Sequence, residues 1–252
     1  MNLEKEMLMY EQTPRTSLVR RVPVIIRIDG KAFHTYTKDM KKPWDKDLYK
    51  VFGETTKYLC ENIQGAKLGY FQSDEISILL IDYDNEKTEA WFKYRTEKLL
   101  SVSASHATAK FNIEMAKLKG LNNIKLAEFD SKAFNIPKEK VCDYFIYRQN
   151  DATRNSIQGL GQEHFRHKEL EGVSNKQVQD KLMLELGINW NNCEVWQKRG
   201  ACVIKKQYVI KAQDNPYSDE DVIRNRWVVD DCIPIFSKNT NYINDLVYIN
   251  ND

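Results

Sequence analysis

The chain has 252 residues, with 38 Lys and Arg against 36 Asp and Glu, so its net charge is only +2. A hydrophobic content of 42% is typical of a globular protein and excludes a disordered or collagen-like chain. No apolar run approaches the roughly 18 residues of a membrane-spanning helix, and the five cysteines include no Cys-x-x-Cys pair. We therefore expect a cytoplasmic protein with reduced thiols and no membrane partner, built as one large domain or as a core with an appendage.

The first half of the chain predicts a ferredoxin-like domain. β-Branched runs indicate strands, and apolar residues at helical spacing indicate two helices. The predicted elements are, in chain order, the strand 22–28, a helix over 45–63 capped by Asp45, the strands 66–72 and 76–83, a long helix from Glu89 to about Leu118, and a strand within 125–134. This β-α-β-β-α-β order places the first and third strands side by side at the centre of the sheet.

After Pro137 the pattern changes, and we assign residues 1–136 to a catalytic domain and 137–252 to an extension packed on it. The fold class is therefore α+β, a polymerase-palm-like domain with a helical and β-hairpin extension. The elements predicted for the extension are helices over 141–165, with breaks at Gly159 and Gly161, and 174–186, a basic hairpin over 194–210 that turns at Arg199-Gly200, and an extended segment over 221–236.

Three acids are expected to meet at one edge of the predicted sheet. Asp29 ends the first strand, and Asp74 and Glu75 lie in the turn between the second and third strands. Repulsion between them requires protonation or cations, and a pair of Mg²⁺ ions is the usual arrangement for phosphoryl transfer. The Gly30 carbonyl is a further candidate ligand. The alternative is that both acidic turns are simply solvated.

Basic and aromatic residues near this edge are candidates for nucleotide contacts. Lys31, Lys42, Arg95 and Lys98 could bind triphosphate, and the last two lie three residues apart on the predicted long helix. Phe33 and His34 could stack on a base; a core phenylalanine beside a surface histidine is the alternative.

The motifs RIDGKAFHTYTK (27–38) and FQSDEISILL (71–80) resemble those of the tRNA-His guanylyltransferase family, which includes like-proteins that act as 3′-to-5′ RNA polymerases. Further similar segments are 42–47, 91–105, 147–158 and 196–204, so the resemblance extends from about residue 20 to residue 206.

The resemblance implies a catalytic domain with two Mg²⁺ ions held by Asp29, the Gly30 carbonyl and Asp74, with Glu75 in support. It implies nucleotide contacts from Lys31, Ala32, Phe33, His34 and Ser73, and triphosphate contacts from Lys42, Arg95 and Lys98. The implied reaction activates a tRNA 5′-monophosphate with ATP or GTP, after which the 3′-hydroxyl of an incoming nucleotide attacks the activated end. A homotetramer is also implied.

One segment departs from the family pattern. Eukaryotic members carry His-Ile-Asn-Asn-Leu-Tyr-Asn where this chain has Thr153 to Gly159, and only Asn155 matches a key polar position. The segment is similar to the bacterial like-proteins, which favours templated repair of 5′-truncated tRNA over strict recognition of tRNA-His. Arg148, Gln149, Arg154 and Asn155 are then candidates for tRNA contacts.

Two other functions remain open from the sequence. A palm-fold nucleotidyl cyclase would use acids on the same topology, although the Gly-Gly-Asp/Glu-Glu-Phe turn of diguanylate cyclases is missing here. A non-catalytic RNA-binding module would use the acids only in turns.

Overall fold

Six antiparallel strands form one sheet in the order β4-β1-β3-β2-β5-β6. The structure is a computed structural model, and it describes residues 2–12, 15–211 and 221–248. The strands are β1 (Val24–Gly30), β2 (Ala66–Gln72), β3 (Glu75–Leu80), β4 (Phe129–Asn135), β5 (Ala201–Ile210) and β6 (Val222–Asp230). The first four have the order and connections of a ferredoxin-like domain.

Helices cover both faces of this sheet. The helices are α1 (Leu3–Gln12), α2 (Phe33–Tyr36), α3 (Lys46–Asn62), α4 (Thr96–Lys119), α5 (Val141–His164), α6 (His167–Leu170), α7 (Asn175–Leu186), α8 (Val195–Arg199) and α9 (Asn241–Val247). Within the described ranges, no helix is both long and apolar enough to cross a membrane.

The alternation of side chains along β1 creates two cores. Val24, Ile26 and Ile28 are fully buried in the core against α3 and α4, whereas Ile25 belongs to the second core, with residues of α5 and α9. Successive strand residues point to opposite faces, so Asp29 lies on the same face as Ile25, the α5 face. Two buried faces also explain why the central strands are almost continuously apolar.

The predicted fold class is confirmed, including the capping residue of the first long helix. The Asp45 side chain accepts hydrogen bonds from the backbone N–H groups of Asp47 and Leu48 at the start of α3. This cap satisfies donors that have no partner inside the helix.

Two details of the predicted helices are wrong. The long helix begins at Thr96 rather than Glu89, because residues Phe92–Tyr94 have positive φ and Arg95 is extended. Helix α5 runs unbroken through Gly159 and Gly161. At Gly161 an added Cβ would lie 2.7 Å from Val178, so this glycine allows α5 and α7 to pack closely rather than ending the helix.

The basic hairpin predicted over 194–210 is also wrong. Its first half is the helix α8, which begins with a capping box between Glu194 and Gln197. Gly200 has φ of 76° and ends this helix. The partner of β5 is instead β6, and the two strands extend the sheet that β1 to β4 form.

Candidate functional site

The end of β1 and the turn between β2 and β3 meet at one edge of the sheet, which we call the catalytic edge. Asp29 pairs with Glu75 in the register of β1 and β3, and the Gly30 N–H donates a hydrogen bond of 3.1 Å to the Asp74 carbonyl. Gly30 is required here because a Cβ would lie 2.2 Å from the Phe33 ring. The predicted convergence of the two acidic segments is therefore present in the fold.

Of the three predicted acids, Asp29 and Asp74 are the two that remain available to a ligand. The Asp29 side chain is 40% exposed, and its nearest cation is Arg27 at 3.9 Å. Burial raises the pKa of Asp74, and the negative charge of Asp29 acts in the same direction. A cation at this edge would relieve both effects.

Glu75 differs from the other two acids. Its side chain is 4% exposed and receives two hydrogen bonds of 2.7 Å from Arg148, one from Nε and one from an Nη. Arg27 also contacts its carboxylate. Burial raises the pKa of Glu75, while the hydrogen bonds from Arg148 oppose that shift. Two arginines therefore already neutralise Glu75, and the repulsion expected among the three acids is relieved at this position without a bound cation.

A cavity of about 550 Å³ opens beside this edge. Its walls are the loop after β1, the start of α3, the β2–β3 turn, α5 and α8. The volume lies within the usual range for small-molecule sites. The predicted site residues that line it are Gly30, Ala32, Phe33, His34, Lys42, Ser73, Asp74 and Asn155.

Two turn residues in this wall have a left-handed backbone. Ala32 has φ of 53° and Ser73 has φ of 50°, values that are uncommon for residues other than glycine. The Ser73 hydroxyl donates to the Asp74 carboxylate at 3.0 Å. Strained residues of this kind persist where the surrounding structure holds them, often at ligand sites.

Phe33 and His34 occupy different environments, which agrees with the alternative of a core phenylalanine beside a surface histidine. Phe33 is 4% exposed and packs against the rings of Tyr36, Phe52 and Phe111, so its ring is part of the core. His34 is exposed and lines the cavity. Base stacking by Phe33 is therefore corrected to a structural role.

Lys42 and Lys31, both predicted to bind triphosphate, also differ in their positions. Lys42 lines the cavity and donates to the Thr37 hydroxyl at 3.1 Å. Lys31 does not line it, and its ammonium pairs with Glu128 at 2.5 Å on the surface.

Arg95 and Lys98 lie far from the cavity, which corrects their expected place in this site. Arg95 pairs with Ser17, and Tyr94 accepts a hydrogen bond from Leu18, so this segment lies near the start of β1 rather than its end. Helix α4 then runs toward the catalytic edge over a length of about 36 Å. Both residues are at the opposite end of the sheet, and Arg95 precedes the helix, so the two do not share a helical face.

Two of the four candidate tRNA contacts are buried, which corrects that expectation. Arg148 is 3% exposed and binds Glu75 and Asp151. Gln149 is 4% exposed and bonds the backbone of Pro234 and Phe236. Both side chains hold α5 to the sheet and to the C-terminal segment. Arg154 and Asn155 are exposed and remain candidates.

The sequence interpretation missed several residues of this site. Lys41, Trp44 and Tyr49 line the cavity, and Trp196 of α8 stacks on Tyr49 with ring centroids 4.2 Å apart. Lys41 and Trp44 could have been found because they flank Lys42 and Pro43. Trp196 could not, because the sequence pattern predicts a strand of a hairpin where the structure has the helix α8.

A further missed acid is Asp130 of β4. It is exposed and lies opposite Asp29 in the β1–β4 register. No group of three His, Cys, Asp or Glu side chains within the described residues is arranged to hold a metal ion. The oxygen donors at the catalytic edge nevertheless include the carboxylates of Asp29 and Asp74 and the Gly30 carbonyl, a set that suits Mg²⁺ when substrate phosphates and water complete the coordination.

Comparisons with known proteins indicate the family of this chain. The family model described as "Thg1: tRNAHis guanylyltransferase" matches residues 4–137. A probable tRNA(His) guanylyltransferase of Drosophila melanogaster is 28% identical over 208 residues, covering 77% of this chain and 71% of its own. The tRNA(His) guanylyltransferase of Saccharomyces cerevisiae is 28% identical over 205 residues, covering 74% and 84%.

Solved structures give the same result with closer similarity. A bacterial tRNA(His) guanylyltransferase (Thg1)-like protein in complex with ATP is 48% identical, with a TM-score of 0.89 over 99% of this chain and 100% of that chain. The Saccharomyces cerevisiae enzyme is 27% identical, with a TM-score of 0.67 over 78% and 91%. Greater similarity to a bacterial like-protein agrees with the departure at residues 153–159. The resemblance drawn from the two acidic motifs is thus confirmed, and the chain belongs to the tRNA-His guanylyltransferase family of nucleotidyltransferases.

Proposed function

We propose that this protein is a Mg²⁺-dependent enzyme that adds nucleotides to the 5′ end of tRNA by templated 3′-to-5′ addition. The observation that carries the proposal is the position of Asp29 and Asp74 at the catalytic edge, with Asp74 forming part of the wall of a nucleotide-sized cavity. The bacterial like-proteins solved with ATP and with GTP support a nucleoside triphosphate as the occupant.

The chain's own residues bind and orient the substrates. Lys41 and Lys42 supply positive charge at one wall of the cavity, which suits a triphosphate. His34 and the Tyr49–Trp196 pair supply ring surfaces for a base. No side-chain nucleophile is needed, because the attacking group is the 3′-hydroxyl of the incoming nucleotide and the tRNA 5′-phosphate is activated first with ATP or GTP.

Asp29, Asp74 and the Gly30 carbonyl would hold the two Mg²⁺ ions. Bound there, the ions would supply neutralising charge to the phosphates and lower the pKa of the attacking hydroxyl. Glu75 holds no ion in this proposal; with Arg148 it fixes the strand next to Asp74.

The decisive experiment uses a tRNA transcript that lacks its first 5′ nucleotide, with each nucleoside triphosphate offered separately. We expect incorporation only of the nucleotide complementary to the opposing base, and loss of incorporation in Asp29→Ala and Asp74→Ala. Asp180→Ala, which removes an exposed carboxylate of α7, is the matched control and should retain activity. Near-normal addition by either site variant would refute the site assignment.

The same experiment separates the other functions. A cyclic product formed from GTP alone would indicate a nucleotidyl cyclase, and RNA binding without any incorporation would indicate a binding module. Equal addition to intact tRNA-His and to truncated tRNAs would instead support maturation of tRNA-His beside repair.

Three further parts of the proposal concern organisation. We propose that residues 1–136 are the catalytic domain and that 137–252 form one wall of its cavity and contact tRNA, with Arg154 and Asn155 exposed for that purpose. We also propose a homotetramer, which sedimentation analysis would test. A cytoplasmic location suits the five free cysteines, three of which are buried.

A further inference from the structure

Strands β5 and β6 continue beyond the sheet as a two-stranded ribbon. Strand β5 pairs with β2 only over Ala201–Val203, but its pairing with β6 continues to Ile210 and Val222. At about 3.3 Å per residue, the free part of the ribbon is roughly 20 Å long. It leads away from the catalytic edge, where Ala201 pairs with Phe71.

One face of this ribbon is basic and aromatic. Lys206 lies opposite Arg226 and Tyr208 lies opposite Arg224, and opposed residues of paired strands point to the same face. All four are exposed. The Arg226 guanidinium lies 5.2 Å from the centre of the Tyr208 ring. We call these four residues the basic face.

The cations of the basic face have no acidic partner within the described ranges. The contrast with Lys211 is direct, because that lysine pairs with Asp221 at 2.7 Å at the outer end of the same ribbon. Like charges directly opposite each other destabilise a strand pair. Lys206 and Arg226 have this unfavourable arrangement, which a bound anion would relieve.

The charge of the ribbon is also out of proportion to that of the chain. Strands β5 and β6 contain four cations, Lys205, Lys206, Arg224 and Arg226, against the single acid Asp230, whereas the whole chain has a net charge of only +2. Asp230 accepts from the Tyr242 hydroxyl at 2.8 Å, at the end of the ribbon that joins the sheet. The segment 212–220, which contains three acids in the sequence, lies outside the described residues and is not part of the basic face.

We propose that the basic face binds the phosphate backbone of the RNA substrate at a distance from the catalytic edge. This inference rests on the proposed function, since it takes the polyanion to be the RNA whose 5′ end occupies that edge. Lysine and arginine neutralise phosphates without reading sequence, and an exposed ring beside them offers a surface on which a base can stack. The contact is roughly 15–25 Å along β5 from the catalytic edge, so only an RNA longer than its reacting end can reach it.

The experiment compares the wild type with the triple variant K206Q/R224Q/R226Q in RNA binding at several salt concentrations. We assume that each of the three cations neutralises one phosphate. Raising the salt from about 50 to 200 mM should then weaken RNA binding by the wild type by a factor roughly 20 to 40 times larger than for the variant. The control is K87Q/K119Q/K238Q, which removes the same charge from three exposed lysines scattered over the surface; it should keep the wild-type salt dependence.

Two RNA probes locate the contact. One is a full-length tRNA transcript that lacks its first 5′ nucleotide, and the other is a short hairpin with only the acceptor stem of that tRNA. The triple variant should lose affinity for the full-length transcript and lose much less for the hairpin. Binding of ATP should be unchanged, because no substituted residue lines the cavity.

An unchanged salt dependence in the triple variant would overturn the proposal, and would leave the ribbon to another partner such as an acidic protein. The thermal stability of the variant should equal or exceed that of the wild type, because an opposed like-charge pair has been removed. Should the triple variant misfold, the single variant R224Q must still lower the slope of log affinity against log salt concentration by about one released ion. Failure of the wild type to add nucleotides, with this ribbon effect intact, would refute the proposed function alone.

Discussion

Replacing Arg148 with methionine should destabilise the fold strongly, because it leaves Glu75 buried without its main partner. Both side chains are 4% exposed, and two hydrogen bonds of 2.7 Å join them. Removing one member of a buried ion pair costs about 3–5 kcal/mol. Since Arg27 still contacts Glu75, we expect the lower end, about 3 kcal/mol, or about 6–12 °C in Tm for a chain of this length.

The measurement is urea unfolding of Arg148→Met, Glu75→Gln and the double variant. The double variant should cost less than Arg148→Met alone, since it no longer buries an unpaired carboxylate, and the coupling between the two positions should be about 1–3 kcal/mol. Arg154→Met is the matched control on the same helix; its side chain is 63% exposed, so its loss should cost less than about 1 kcal/mol. Additive costs, or a loss below about 1 kcal/mol for Arg148→Met, would refute the structural role of this pair.

Three further predictions concern unfolding. Gly161→Ala should lower the free energy of unfolding by about 1–3 kcal/mol by overpacking against Val178. The control is Gly159→Ala, whose added Cβ would lie 3.9 Å from its nearest neighbour and should stabilise helix α5 by up to about 1 kcal/mol. Equal effects of the two variants would contradict the close packing of α5 and α7. Tyr49→Phe should raise the free energy of unfolding by about 1 kcal/mol, because the tyrosine hydroxyl is buried and has no hydrogen-bond partner among the described residues, and a lower Tm would contradict this. Burial lowers the pKa of His106 from 6.5. The unfolded chain therefore binds the proton more tightly, and stability falls as the pH drops below about 6.5. Urea unfolding should show that His106→Phe loses less stability than the wild type between about pH 7 and 5.

The sequence was sufficient to predict the topology of the first domain because its strands are buried on both faces and its turns carry clear signals. Once the β-α-β-β-α-β order is known, the neighbours of β1 follow, and with them the meeting of Asp29 and Asp74. The same topology also shows that Lys98 cannot lie at the catalytic edge. Helix α4 follows a strand that ends at the opposite edge, so its first turn cannot lie at the catalytic edge.

Other features could not be predicted because they depend on partners distant in sequence. Arg148 is 73 residues from Glu75, and in the sequence it is only a basic residue on a polar-faced helix. The turn signal at Arg199-Gly200 was ambiguous in a different way. A glycine with positive φ ends a helix as readily as it forms a hairpin, and the capping box of Glu194 and Gln197 was the signal that favoured a helix.

The neighbouring acids Asp74 and Glu75 have different roles because a strand begins between them. Glu75 is the first residue of β3, and the alternation of β3 directs its side chain to the α5 face, where Arg148 and Arg27 neutralise it. Asp74 lies in the turn, outside that alternation, and lines the cavity. Of these two adjacent acids, Glu75 is thus a buried carboxylate neutralised by arginines, and Asp74 is a carboxylate available to a cation. The buried pair holds the turn in place from beneath, so substitution of Arg148 should lower nucleotide addition through the position of Asp74 even in molecules that remain folded.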